Sequence, residues 1–410
     1  MSMIKMIGET LGLCDFVNCG EIVPIKIINE NGKIYYKKDC PNHGTHIRLI
    51  STDAEYYNHS HNVSLKLQTR FQKGNNPNCP NNCNDCCSHI SKIGYLIIEI
   101  TDKCDFQCKT CIASSGSGHE VDKNDIKRRI NSYVESNGKP GLIFVSGGEP
   151  TTHSDFFEIL DFVKTKAERV FIITNGIRIS MDECFLENLS HYRECVEIYL
   201  QFDSLKSEFL EDIRGSGVFL SNVRRRAVEN LDRIGVNSTL VCIAKNNVNI
   251  DDLGNVIKYA LNHDYVRGVT IQPLKFIGRV CLDNIEESYI TLSQIREAMI
   301  KNIDVPFSEN DIIPHYFNPE NISIGYYDKM KKTAVTREMD KRGLLQNKFF
   351  FTPEESTIRF DYHNLFRLAI VSFFDRFSFN LDTIRQSAIC FINNEGKAIP
   401  QNTYYWRYRG

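Results

Sequence analysis

The run Thr101-Asp-Lys-Cys-Asp-Phe-Gln-Cys-Lys-Thr-Cys111 sets Cys104, Cys108 and Cys111 at Cys-x3-Cys-x2-Cys spacing, directly after a short apolar stretch. Three thiolates so spaced can hold three irons of a 4Fe–4S cube, because cysteine sulfur is the usual protein ligand of such clusters. The fourth iron is then open to a small molecule, so the fold must place a cavity beside this loop. Three structural thiols, or a zinc knuckle, are the alternative reading of the triad alone.

A second motif follows at a distance of one strand and one helix. Leu142-Ile-Phe-Val-Ser-Gly-Gly-Glu-Pro150 is an apolar run ending in two glycines and a carboxylate. Glycines let a backbone approach a ligand closely. By itself this pattern suits any strand-to-helix turn; with the triad upstream, the pair resembles the radical S-adenosylmethionine (SAM) superfamily. The resemblance implies that the open iron chelates the amino and carboxylate groups of SAM, and that one-electron reduction cleaves SAM to methionine and a 5′-deoxyadenosyl radical. It also implies that Gly147, Gly148 and Glu149, with Pro150 closing the motif, hold the SAM amino group. Thr110 departs from the family pattern, which has an aromatic or aliphatic residue before the last cysteine.

The chain has 410 residues, 42% hydrophobic and 24% charged, with a formal net charge of −2. That is enough to bury a sizeable core, and it disfavours a nucleic-acid partner. The basic run at Arg224, Arg225 and Arg226 reads as the solvated face of an amphipathic helix. Fifteen cysteines would suggest disulfides in a small secreted domain. This chain is long and begins without an apolar signal-peptide core, so a cytoplasmic protein is expected. No run of about eighteen apolar residues occurs, so no transmembrane segment is expected.

Ten of the cysteines lie within the first 111 residues, and this asymmetry divides the chain. Residues 1–94 read as a cysteine-rich metal region, 95–280 as a barrel, and 281–410 as an extension contributing to barrel closure, the substrate pocket and an auxiliary ligand. Apolar runs at 95–101, 142–146, 169–174, 197–202, 238–244 and 268–271 alternate with helical spacing at 124–136, 155–166, 221–233 and 251–262. This is the pattern of βα units on a parallel sheet. Six units match the α/β, partial (β/α)6 barrel of the radical SAM type. Chemistry in barrels gathers at the C-terminal ends of strands, which singles out Ser146, Asn175, Gln201, Asp203 and Gln272. Residues 292–303 and 363–374 read as helical.

Two more cysteine groups precede the barrel. Cys79, Cys83 and Cys86 repeat the x3, x2 spacing, with Cys87 adjacent, and read as an auxiliary 4Fe–4S cluster over zinc. Cys390 is a candidate fourth ligand, although a lone cysteine is usually a small buried hydrophobe. Nearer the start, Cys14 and Cys19 are followed by a strand-like stretch and then Asp39-Cys-Pro-Asn-His-Gly44. Two knuckles joined by a hairpin make a mononuclear zinc or iron site from Cys14, Cys19, Cys40 and His43. Cys184, Cys195, Cys242 and Cys281 read as structural.

In this order, the groups resemble one radical SAM branch, that of tetraether lipid synthases and pterin-dependent, class D methylases. The first knuckle departs from it, as Cys-x4-Cys in place of Cys-x2-Cys. By resemblance, Asn175, Gln201 and Asp203 line the ribose or substrate side, with Gln272 beside them, and a flavodoxin or ferredoxin supplies the electron. The branch implies carbon–carbon bond formation or methylation at an unactivated carbon of a small molecule or lipid. A maturase acting on a ribosomal precursor peptide is the competing reading, and a non-catalytic iron–sulfur scaffold the third.

Overall fold

The computed structural model describes residues 4–66, 78–83, 86, 88–90, 94–283, 285–346, 350–351, 353–357 and 360–409; Cys87 lies outside them. Strands β1 (Ile4–Leu13), β2 (Ile22–Glu30), β3 (Lys33–Cys40) and β4 (Gly44–Ser51) form an antiparallel sheet in chain order. Between β2 and β3, Asn31 and Gly32 both take positive φ, 53° and 79°. Such a two-residue turn matches the twist of the strands that it joins. Helix α1 (Ala54–Lys66) then covers the sheet, with Ala54 and Tyr57 against Ile25, Ile27, Ile34 and Tyr36.

From Tyr95 the chain alternates strand and helix. Strands β5 (Tyr95–Thr101), β6 (Leu142–Gly147), β7 (Arg169–Thr174), β8 (Val196–Gln201), β9 (Asn237–Ala244) and β10 (Val266–Pro273) are parallel and adjacent in chain order. Between them run α2 (Lys123–Asn137), α3 (Phe156–Lys166), α4 (Ile177–Met181), α5 (Glu183–Ser190), α6 (Ser207–Arg214), α7 (Val218–Ile234) and α8 (Leu253–Leu261). This is the (β/α)6 partial barrel of the radical SAM fold.

The period-2 alternation of strands sorts the core into two layers. Leu96, Ile98, Ile100, Ile143, Val145, Val170, Ile172, Ile198 and Leu200 face the helices. Tyr95, Ile97, Leu142, Phe144, Phe171 and Tyr199 face inward. Each large side chain so buried stabilises the fold by about 1.5–3 kcal/mol. At the strand ends the inward positions become Ser146, Gln201 and Gln272, so the alternation that builds the core also aims polar groups into the mouth.

The extension adds β11 (Ile313–Pro314), β12 (Ile322–Asp328), β13 (Thr333–Ala334), β14 (Leu365–Val371), β15 (Ile389–Ile392) and β16 (Ala398–Pro400) to the same sheet. β14 lies parallel beside β10, and β15 lies parallel beside β5. The helical reading of 363–374 is therefore corrected. Leu365–Val371 is a strand paired on both edges and almost wholly buried; apart from Arg367, which is buried in an ion pair with Glu197, it is apolar on both faces, so no alternation betrays it. The solvated reading of the basic run is corrected at one residue. Arg224 is 1% exposed on the inner face of α7, while Arg225 and Arg226 are exposed. No helix among the described residues is long and apolar enough to cross a membrane.

Candidate functional site

Cys104, Cys108 and Cys111 sit on the loop leaving β5 and line one cavity of about 240 Å³ at the C-terminal ends of the barrel strands. The loop is held from three sides. The Gly148 N–H donates to Thr101 O at 2.7 Å and the Glu149 N–H to Lys103 O at 2.8 Å, zipping the end of β6 to the start of the loop. A Cβ on Gly148 would stand 2.3 Å from Lys103 O, and one on Gly147, whose φ is +142°, 2.1 Å from Thr101 O. No other residue fits this approach. Thr110 is buried and donates through Oγ1 to Ile213 O of α6 at 3.0 Å, so its hydroxyl has the partner that an apolar residue could not use.

The third side is Arg279, which belongs to no motif in the sequence. Its backbone N–H donates to Cys111 O at 2.9 Å, Nε to Cys108 O at 3.0 Å and Nη1 to Ser115 O at 2.7 Å. One guanidinium thus fixes the loop that carries all three thiols, without using the thiols themselves.

Several polar residues expected to face a ligand are committed elsewhere. Glu149 is 1% exposed; its carboxylate accepts from Thr151 N and Oγ1, Thr174 Oγ1 and Asn175 N at 2.7–3.1 Å. Burial pushes its carboxyl up to about 7 against those hydrogen bonds. Asn175 lines the cavity, but its Nδ2 donates to Asp105 Oδ1 and its Oδ1 accepts from Ile177 N. Pro150 is buried at the start of a single helical turn, away from the cavity wall.

Asp203 departs furthest from expectation, since it is fully buried behind the cavity. It takes Arg214 in a two-pronged pair at 2.8 and 2.9 Å, Arg224 at 2.9 Å and the Ile243 N–H at 2.8 Å. Although burial opposes the charge, the two guanidiniums hold its carboxyl below the usual range. The residue that reaches the cavity is Arg214, whose positive charge acts on the Cys108 side chain. Gln201 lies between, its Oε1 accepting from Arg224 at 3.2 Å and facing Cys108 Sγ at 3.9 Å. Ser146, Gln272 and Gln401 line the cavity with side chains that no hydrogen bond occupies among the described residues. The opposite wall is apolar: Ile97, Phe144, Ile173, Tyr199, Phe350 and Phe391.

Cys79, Cys83 and Cys86 gather beside the C-terminal segment. The Cys83 N–H donates to the Tyr408 hydroxyl at 2.9 Å, and the Ser88 N–H to Cys86 Sγ at 3.3 Å. Cys79 and Cys86 are free thiols, and the neighbouring Cys86 side chain, together with burial, pushes the Cys79 thiol up. Cys390, on β15, is fully buried; burial pushes its thiol far up, and the field of Cys83 adds to this. The donor set, all soft thiolates, fits iron–sulfur or zinc.

Cys14, Cys19, Cys40 and His43 converge from the β1–β2 and β3–β4 turns, with their ligand atoms all within 4.8 Å of one another. His43 Nδ1 is 3.6 Å from Cys14 Sγ and 3.5 Å from Cys40 Sγ. One tetrahedral ion, with bonds of about 2.3 Å to sulfur and about 2.0 Å to nitrogen, spaces such a pair by about 3.6 Å. The donor set fits a mononuclear ion. The long first knuckle is absorbed by a turn in which the Cys19 N–H donates to Phe16 O at 3.0 Å. The ribbon is latched to the extension by Lys38, which is 0% exposed and donates to Asp15 Oδ1, Arg376 O and Phe377 O at 2.6–3.0 Å.

Comparison with known proteins agrees with this division. Residues 98–260 match the family model of the radical SAM superfamily, and residues 6–52 that of the HMPTM N-terminal zinc ribbon domain. The chain is 31% identical over 319 residues to a 7,8-dihydro-6-hydroxymethylpterin dimethyltransferase of Methanocaldococcus jannaschii, covering 75% of this chain and 61% of that protein. It is 27% identical over 177 residues to the mycofactocin maturase MftC of Mycolicibacterium smegmatis, covering 43% of each. Among solved structures, Streptococcus suis SuiB bound to precursor peptide SuiA aligns with a TM-score of 0.43 and 15% identity, over 51% of this chain and 45% of that one. The chain therefore spans about three fifths of the first relative's length and less than half of the second's.

Proposed function

We propose, from the radical SAM domain at residues 98–260, that this chain is an enzyme that methylates a carbon of a small nitrogen heterocycle of the pterin class. The observation that carries the radical SAM part is the convergence of Cys104, Cys108 and Cys111 with the Gly147–Gly148 turn on one cavity. The substrate class is supported by the 31% identical relative, a pterin dimethyltransferase by name, and by the match of residues 6–52 to the HMPTM zinc ribbon model. An apolar wall with free amides at Gln272 and Gln401 suits a flat heterocycle, whose faces stack and whose edge needs hydrogen bonds.

Cys104, Cys108 and Cys111 would hold three irons of a 4Fe–4S cluster. When bound, the cluster supplies the single electron that cleaves SAM to methionine and a 5′-deoxyadenosyl radical. The chain's own part is positional. Gly147 and Gly148 line the cavity with bare backbone; Ser146, Gln201 and Gln272 present polar groups at strand ends; Arg214 and Arg224, both held by Asp203, set positive charge beside Cys108. The aromatic wall excludes water from a reactive carbon. A flavodoxin or ferredoxin is the proposed reductant. The Cys79, Cys83, Cys86 and Cys390 group is proposed to hold an auxiliary cluster, and Cys14, Cys19, Cys40 and His43 a structural zinc.

The test is anaerobic reconstitution with iron and sulfide, then dithionite and SAM, following 5′-deoxyadenosine and, with 6-hydroxymethyl-dihydropterin added, methylated product by mass. 5′-Deoxyadenosine that vanishes in Cys104→Ala supports the radical step. A gain of fourteen mass units on the pterin would support the substrate class. Cleavage of SAM with an unmodified pterin would overturn the substrate class alone and turn the search to peptide precursors.

A further inference from the structure

Lys275 stands two residues beyond the end of β10 and is 4% exposed. It lines the cluster cavity and also a second, smaller cavity of about 50 Å³ behind it. Its recorded polar contact is to Ser378 Oγ at 3.4 Å, a hydroxyl that itself donates to Asp375. Among the described residues no ion pair includes it. Burial pushes its amine down, with the field of Asp375 opposing. A buried lysine without a carboxylate partner is unexplained by packing, because desolvation disfavours its charged form.

The second cavity has Ile50, Leu292 and Phe374 in its wall, but hydroxyl, amide and carboxylate groups make up most of its lining residues. Tyr36, Tyr57 and Ser60 line it from the ribbon and α1, and Thr291, Ser293 and Asn321 from the extension. Tyr57 Oη and Asn321 Nδ2 are buried without a hydrogen-bond partner, in residues 8% and 5% exposed. At about 10–15 Å³ of this volume per water, the space admits about three to five. Glu320 closes the far side: its carboxylate accepts from Thr383 Oγ1 and bonds His61 Nδ1, both at 2.9 Å. The His61 side chain is 43% exposed. The charged and titratable groups around this path are Asp375 and Tyr289 beside Lys275, Arg296 and Tyr56 on one flank, and Asp382 near His61.

We infer that Lys275 exchanges protons with the molecule held in the cluster cavity, and that the hydroxyl-lined cavity behind it is a water-filled connection to solvent through Glu320 and His61. In the forward sense the Lys275 nitrogen lone pair takes the proton, and the bonding electron pair stays on the atom that loses it. The proton passes along the waters to the Glu320 carboxylate and from His61 to bulk water, with no change in oxidation state. Use of this route in turnover rests on the proposed function; the connection itself does not.

Two measurements on the full chain test it without a substrate. A crystal structure should show ordered waters bonded to Tyr57 Oη and Asn321 Nδ2; a dry cavity would overturn the proposal. Nuclear magnetic resonance of lysine labelled at Cε and Nζ, assigned with Lys275→Met, should show the Lys275 amine hydrogens exchanging with solvent. That exchange should slow about tenfold in Glu320→Gln, and in the surface variant His61→Ala it should slow and recover with added imidazole. Equal rates in wild type and both variants would remove the connection. If exchange behaves as expected while the pterin assay fails, the substrate reading falls and the connection stands.

Discussion

The ribbon and the cysteine loop of the barrel each present clustered thiols, and they are built in opposite ways. In the ribbon, four ligand atoms lie within 4.8 Å of one another, carried by turns between paired strands. The triad's three cysteines instead line a cavity. A tight, closed set suits one structural ion, whereas an open position is what chemistry requires. The lesson is that rigidity is supplied differently. The ribbon's ligands are fixed by their own hairpins, while the triad is fixed from outside, by Arg279, by α6 and by the end of β6.

The largest effect expected from breaking this contrast is in Cys108→Ala. SAM cleavage should fall to background while the ribbon's metal content is unchanged; loss of both together, by metal analysis, would make the two regions one unit. Next comes Gly148→Ala, whose methyl would meet Lys103 O at 2.3 Å. Overpacking against backbone should cost about 1–3 kcal/mol and lower cluster occupancy, seen in denaturant unfolding and in the cluster's absorbance. Lys38→Met removes a buried amine that holds Asp15 and two carbonyls. It should destabilise by about 3 kcal/mol, and limited proteolysis should release the ribbon while SAM cleavage persists.

A smaller effect is expected at Arg214, whose positive charge acts on the Cys108 side chain. Arg214→Met should lower the reduction potential of the cluster, since positive charge beside it favours the reduced form; an unmoved potential would leave Arg214 as a partner of Asp203 only. The smallest is at His61. Its hydrogen bond to Glu320 raises its pKa against burial. The folded state then holds the proton more tightly, so the stabilisation is complete below the unfolded value of about 6.5 and is lost as pH rises through the folded value. For a half-exposed pair the effect is under about 1 kcal/mol. Melting of wild type and His61→Ala should differ more at about pH 5.5 than at about pH 8.

Where the alternation of the strands is clean, the sequence could be read directly. Ile97, Phe144 and Tyr199 point inward and Ile98, Val145 and Leu200 outward because their neighbours alternate with them. The triad and the glycine pair were equally legible, since spacing along the chain dictates proximity there. Asp203 was not. It stands beyond the end of β8 with φ +64°, so strand parity no longer says where its side chain goes. Arg214 and Arg224 became visible only as its partners. Leu365–Val371 was misread because burial on both faces erases the period-2 signal. Lys275 and Arg279 carry no motif; their interest comes from where the chain beyond β10 folds back over the cysteine loop.

The central claim is that one chain separates a closed mononuclear site from an open cluster corner that binds SAM. Electron paramagnetic resonance of dithionite-reduced protein tests it most directly, in a Cys79→Ser, Cys83→Ser, Cys86→Ser background that removes the proposed auxiliary cluster. The account predicts a reduced 4Fe–4S signal that shifts when SAM is added and is absent once Cys104→Ala is introduced. A signal indifferent to SAM, or one that survives Cys104→Ala, would contradict it.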